Sequence, residues 1–302
     1  LDLAELDASP IVRRLHGFGV ELRYLSLADG GTFELEPLER LLGRMHRVAS
    51  QQLWRQLNAA GLLPLLESLK AYFLLGRGEL FHSLLEALRG HLDELPRPQL
   101  DLQLLLAAAA PDAADALFRA LTLSVPPPPP RATPYEAWRR LRLDMCVEWP
   151  LQLLVHAAAL RRYSSLFSFL LLVKRVQTEL HAAWNAQTQS GGLPDAERAL
   201  LMPLWRLRAH MAFFIDNLQY YLQVDVLEVQ WQAFTRIAQT CEDFEVLNAE
   251  HEKCLEAMQT QCFLHAGSVS AALHQIFQLC LSVCRMLSYA DAGVRAEAAY
   301  RE

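Results

Sequence analysis

Apolar residues recur at steps of three and four along much of this 302-residue chain, and no other feature limits the possible folds as strongly. In Leu166–Trp184, the residues Leu166, Phe169, Leu170, Val173, Val176, Leu180 and Trp184 form one stripe, with Lys174, Arg175, Gln177, Thr178 and His181 off it. In Met211–Val229 the stripe runs through Met211, Phe214, Ile215, Leu218, Tyr221, Leu222, Asp225, Val226 and Val229, with Asp225 as its acidic interruption. Phe213, Tyr220, Val224 and Leu227 add a second apolar face, and a helix apolar on two sides is expected at the centre of its domain. A third stripe joins Leu273, Ile276, Phe277, Cys280, Leu281, Cys284 and Leu287. Strand-like alternation of β-branched residues is almost absent, while the good helix formers Leu, Ala, Glu, Gln and Arg abound. The expected fold is all-α, a multi-helix bundle of roughly ten helices.

Three breaks divide the pattern. Pro126–Pro130 is an unbroken proline run; without backbone donors it cannot lie inside a helix, so it reads as an extended surface loop near 124–134. Ser190-Gly191-Gly192-Leu193-Pro194 predicts a second flexible connection near 188–196, and Ala28-Asp29-Gly30-Gly31-Thr32 a third. Asp243, two residues before Glu245, is placed to cap a helix. No internal repeat is visible.

A hydrophobic fraction of 52% is ample for a buried core, in one large domain or two smaller ones. The chain begins at Leu1, not Met, so its natural amino terminus is expected to lie elsewhere. No basic segment precedes an apolar stretch at the start, so no signal peptide is expected. Leu166–Val173 is too short to span a bilayer, which predicts no membrane insertion. A net charge of −6 argues against nucleic-acid binding, which rests on neutralising phosphates. The charge is uneven. Arg139 to Arg175 carries seven basic residues against Asp144 and Glu148, a net +5; Asp216 to Glu256 carries nine acidic residues against Arg236 and Lys253, a net −7. Such asymmetry suits a protein partner with complementary patches, or else two solvated helix faces of opposite sign. The six cysteines include no CxxC pair and sit mostly among helix formers, as free and mostly buried thiols would in a reducing compartment.

Residues that would carry chemistry do not converge. Gly76-Arg77-Gly78 lacks the Lys-Ser or Lys-Thr of a phosphate-binding loop and reads as a turn between helices. His251-Glu252 lacks a second His at helical spacing, and Cys280 and Cys284, one turn apart, read as core. No catalytic residue, metal site or cofactor is expected, although a nucleophile and base joined only by the fold would escape this reading.

Several segments carry a resemblance. Tyr72-Phe73-Leu74-Leu75-Gly76-Arg77-Gly78-Glu79-Leu80-Phe81, Val147-Glu148-Trp149-Pro150-Leu151, Lys174-Arg175-Val176-Gln177 and the long block Arg208–Leu227 (RAHMAFFIDNLQYYLQVDVL) follow one another in order. With Asp243-Phe244-Glu245 and Gln261-Cys262-Phe263-Leu264, they resemble the carboxy-terminal domain of gamma-tubulin complex components, and among these most of all the fourth paralogue. The match runs from about Leu38 to Tyr289, which marks 1–37 as a remnant of the preceding region and 38–302 as the domain.

The resemblance implies a non-catalytic scaffold that binds gamma-tubulin and, with other gamma-tubulin complex components, helps template microtubule nucleation at a microtubule-organising centre. Any GTP would belong to gamma-tubulin. Candidate contacts are Arg77, Gly78 and Glu79 in the turn, Lys174 and Arg175 off their stripe, and Asn217, Tyr220, Tyr221 and Asp225. For Trp149, Tyr220 and Tyr221, core packing is favoured over contact. Asn217 and Asp225 are either core polar groups with internal partners or partner contacts. Other readings are a solenoid-like adaptor, which regular repeats would favour, and a helical enzyme, which a pocket of convergent ionisable groups would favour.

Overall fold

A computed structural model describes residues 10–27, 35–92, 116–126, 133–189 and 195–299. The proline run beyond Pro126, the 190–194 connection and the 28–32 connection lie outside these residues. The described residues form α1 (Pro10–Leu27), α2 (Leu35–Ala59), α3 (Leu62–Phe73), α4 (Gly78–Leu92), the single turn α5 (Ala116–Arg119) and β1 (Leu121–Ser124). Next come α6 (Pro134–Arg139), β2 (Arg142–Met145), a 3-10 turn (Leu151–Leu153) and α7 (Ala157–Gln189). After α8 (Asp195–Tyr220) the helix widens into a π segment (Tyr221–Glu228) and continues as α9 (Val229–Thr240); α10 (Phe244–Gln261) and α11 (Gly267–Ala299) complete the bundle.

The central helix is α7, not the 211–229 helix that the two apolar faces predicted. Leu166, Phe167, Phe169, Leu170, Leu171, Leu172 and Val173 are all buried, so the run LFSFLLLV is apolar all round because it is covered all round. Ring contacts show which helices cover it. Tyr163 meets Phe73 of α3 at 5.8 Å and Trp231 of α9 at 6.4 Å, Phe167 meets Phe81 of α4 at 5.9 Å, and Phe169 meets Phe277 of α11 at 6.2 Å. At the far end the stripe fails: Trp184 is exposed, its ring lying against the Arg208 guanidinium at 4.8 Å.

The fold is helical, with one antiparallel strand pair among the described residues. Leu121 pairs with Met145 and Leu123 with Leu143; all four are buried and β2 packs on α7. Leu-Thr-Leu-Ser and Arg-Leu-Asp-Met do alternate, but over four residues each, too few to stand out in the sequence.

Capping follows the sequence. Asp243 Oδ1 accepts from the backbone N–H of Glu245 at 2.9 Å and of Val246 at 3.4 Å, closing the N-terminus of α10. Ser50 of α2 donates to the same oxygen at 2.6 Å and accepts the Phe244 N–H at 2.8 Å, so the cap also ties α2 to α10. Within α11, Gly267–Tyr289 is long and apolar enough to cross a membrane, a longer run than Leu166–Val173. Its Leu273, Phe277, Cys280 and Cys284 are buried, and α11 packs on α7 and α8.

Candidate functional site

The outer face of α8 and the π segment is a stripe of large apolar side chains turned to solvent. Phe213 is 73% exposed, Tyr220 62% and Val224 42%, with exposed Asn217 in the same row; Val229, which opens α9, is 54% exposed as well. Phe213, Asn217, Tyr220 and Val224 are spaced four, three and four apart, so they share one side of the helix. Inside the π segment the wider turn leaves both Val224 and Asp225 outside, while Leu222, Val226 and Leu227 face the core. The second apolar face read from the sequence is therefore real but uncovered, except at Leu227. Exposed apolar residues are ordinary when scattered; a row of them on one helix face is not.

The other sequence candidates divide. Asn217 is no core group: it is exposed, and its Nδ2 donates to the Phe213 carbonyl at 2.6 Å within the helix. Asp225 is exposed too, so neither polar interruption is a buried network. Tyr220, expected to favour the core, lies outside it, as does Trp149 at 68% exposed. Tyr221 does turn inward. It stacks on Phe263 at 6.0 Å, and its hydroxyl donates to the Gln261 carbonyl at 3.3 Å.

Lys174 and Arg175 do not act as a pair. Lys174 is half-buried and donates to Gln177 at 2.9 Å; Gln177 in turn donates to Asp216 at 2.8 Å, which links Lys174 to the α8 face. Arg175, expected to reach solvent, is instead 7% exposed, with its guanidinium 4.2 Å from the centre of the buried Trp138 ring. The basic stretch is also partly used inside the fold. Arg162 holds Glu252, and Glu256 at 2.9 Å, so the net-positive and net-negative segments meet each other across α7 and α10.

The Gly76–Glu79 segment links α3 to α4, whose first residues are Gly78 and Glu79, and Arg77, Gly78 and Glu79 are all exposed. Leu75, two residues past the end of α3, lies in the left-handed region at φ 57°, and the N–H groups of Gly76 and Arg77 return to the carbonyls of Lys70 and Ala71, both at 3.1 Å. A Cβ at position 76 would stand 3.0 Å from the Lys70 carbonyl oxygen, so any side chain there would press on the backbone of α3. Arg77 donates to the Tyr72 hydroxyl at 3.2 Å. Lys70 pairs with Glu228 at 2.8 Å, joining this turn to the end of the π segment. That hydrogen bond holds the Glu228 carboxyl below its usual range.

Ionisable groups in the interior are set for packing. His251 accepts or donates with the Tyr163 hydroxyl at 2.8 Å, and burial pushes it down to about 3, so it is neutral. Burial raises the Cys254 and Cys262 thiols to about 12 and Cys280 to about 11, far from thiolate chemistry. Cys146, by contrast, is exposed and Cys241 half-buried. Among the described residues no group of three His, Cys, Asp or Glu is placed to hold a metal ion. What the sequence reading missed is Phe213 and Val224, counted as buried, and Arg236. The signal was the Asn217 interruption in the second face, since a polar residue in a row of apolar ones fits solvent better than core.

A family model described as Gamma tubulin complex component C-terminal matches residues 62–300. Gamma-tubulin complex component 4 of Homo sapiens is 32% identical over 281 residues, covering 85% of this chain and 42% of the relative. Its counterpart in Arabidopsis thaliana is 29% identical over 325 residues, covering 93% and 44%. Spindle pole body component 98 of Dictyostelium discoideum is 25% identical over 267 residues, covering 82% and 31%. The chain spans less than half the length of these relatives.

Proposed function

Because the chain belongs to the gamma-tubulin complex component family, we propose that it is a non-catalytic scaffold that binds gamma-tubulin and helps template microtubule nucleation in a ring complex with other components of its family. Residues 38–302 form the binding domain, and 1–37 belong to the region before it. Its place is the cytoskeleton at a microtubule-organising centre, and it uses neither nucleic acid, membrane insertion nor a cofactor of its own.

The observation that carries this reading is the exposed row Phe213, Asn217, Tyr220 and Val224, set on a helix braced against α7. A template must hold its partner in fixed orientation, and aromatic side chains on a rigid element give large contact area at small entropic cost. Asp225 follows Val224 in the chain, Lys174 is linked to α8 through Gln177 and Asp216, the Gly76–Glu79 turn is linked to the π segment through Lys70 and Glu228, and Tyr221 packs inside on Phe263. Arg175 acts by holding α7 to Trp138.

Size exclusion with gamma-tubulin tests the proposal. The chain is expected to co-elute with gamma-tubulin one to one, and Phe213→Asp with Tyr220→Asp to abolish co-elution while the helical circular dichroism spectrum stays unchanged. Separate elution of the folded, unsubstituted chain and gamma-tubulin would overturn it.

A further inference from the structure

Beside the Gly76 turn, α3 and α9 form the walls of an open cleft of about 460 Å³. Its charged lining is uneven: Lys70 and Arg77 on one wall and Arg236 on the other, against Glu67 alone. Lys70 is held by Glu228, which also accepts from Gln232, one turn on along the same helix, at 2.8 Å. Arg77 and Arg236 are exposed, and neither has a carboxylate partner among the described residues. Arg77 donates to the Tyr72 hydroxyl and lies over its ring but meets no carboxylate among the described residues, so in a chain of net charge −6 the cleft lining carries two guanidinium groups that no acidic side chain neutralises. Guanidinium groups match carboxylates in a planar, two-bonded geometry. The other cleft groups include the neutral amide of Gln239, which suits a peptide backbone. The cleft is open, and its cations lie on separate walls, so it favours an extended chain over one compact anion.

We propose that this cleft receives an acidic, carboxylate-bearing peptide segment of the protein partner, with Arg77 and Arg236 as its two anchors. The inference rests on the proposed gamma-tubulin reading for the identity of that partner; the chemistry of the cleft stands independently. Arg77 and the turn join the contact surface by this route, and Arg236 is added to it.

The experiment has two arms, each run on the wild-type chain and on Arg77→Ala/Arg236→Ala, with thermal stability confirming that both fold. In the first, a fluorescein-labelled hexaglutamate peptide is titrated by anisotropy. Binding is expected to weaken with added salt and to fall at least about tenfold in the variant, as loss of close charge pairs does. In the second, gamma-tubulin affinity is expected to fall in the same variant. Hexaglutamate binding that the variant retains, or no binding at all, overturns the inference. So does displacement of the peptide by inorganic pyrophosphate at equal charge concentration, which would mark a small-anion site. Undiminished gamma-tubulin binding by the variant also overturns it and leaves the proposed function standing. If wild type fails to bind gamma-tubulin but binds hexaglutamate through the two arginines, the proposed function falls and the cleft chemistry stands.

Discussion

Lys174 and Arg175 are one step of about 100° apart around α7, and that step separates a half-solvated ammonium from a guanidinium packed on Trp138. Charge reversal is therefore expected to have unequal effects. Lys174→Glu leaves the melting temperature nearly unchanged, while Arg175→Glu puts a carboxylate where a cation met an aromatic face and costs roughly 2–4 kcal/mol. Thermal denaturation of the two single variants checks this; equal melting temperatures would contradict the burial of Arg175. His251 carries a pH dependence of known sign. An unfolded histidine titrates near about 6.5, whereas His251 in the fold titrates at about 3, so on acidification the unfolded chain takes up the proton first. Its contribution is complete above about pH 6.5 and is lost as pH falls toward 3, by up to about 1.4 kcal/mol per pH unit. Urea midpoints taken from neutral pH downward are expected to decline less steeply in Tyr163→Phe/His251→Leu than in wild type. Identical slopes would show that the group is not buried neutral.

At the scale of elements, the N-terminus of α10 joins a local signal to a long-range one. Asp243 was legible as a cap, yet nothing near it in sequence shows that Ser50, 193 residues earlier, donates to the same carboxylate. That hydrogen bond, first among the causes, holds the Asp243 carboxyl below its usual range. Asp243→Ala is expected to cost about 1–2 kcal/mol by removing the cap, and Asp243→Asn to restore most of it, since the amide oxygen still accepts. Urea unfolding distinguishes them; equal losses in both would mean the charge matters and not the capping geometry. The π segment is the opposite case. Its residues, YLQVDVLE, are ordinary helix and core types, and no breaker marks where the turn widens. The register shift that exposes Val224 together with Asp225 was therefore invisible to a reading at helical period.

Across the whole molecule, the net +5 and net −7 stretches were read as patches for a partner. Arg162 with Glu252 and Glu256 shows that a share of both is spent within the chain, where helices brought side by side satisfy each other first. The two arginines that line the cleft, Arg77 and Arg236, lie outside the basic stretch and far apart in sequence. Composition reports how much charge a segment has; only the packing of α3 against α9 decides which charges stay available to a partner.

The sequence by itself determined the helical class, the cap at Asp243, the turn at Gly76 and the family, because each is written in residues close together: a period, a side chain beside free N–H groups, a missing Cβ, a block of neighbours. Which apolar face would be covered could not be read that way. Leu166–Val173 and the second face of Met211–Val229 are both apolar, and periodicity treats them alike. The tertiary structure buried the first among α3, α4, α9 and α11 and left the second in solvent, because α8 and the π segment meet the core through Ile215, Leu218 and Leu222 on their other face.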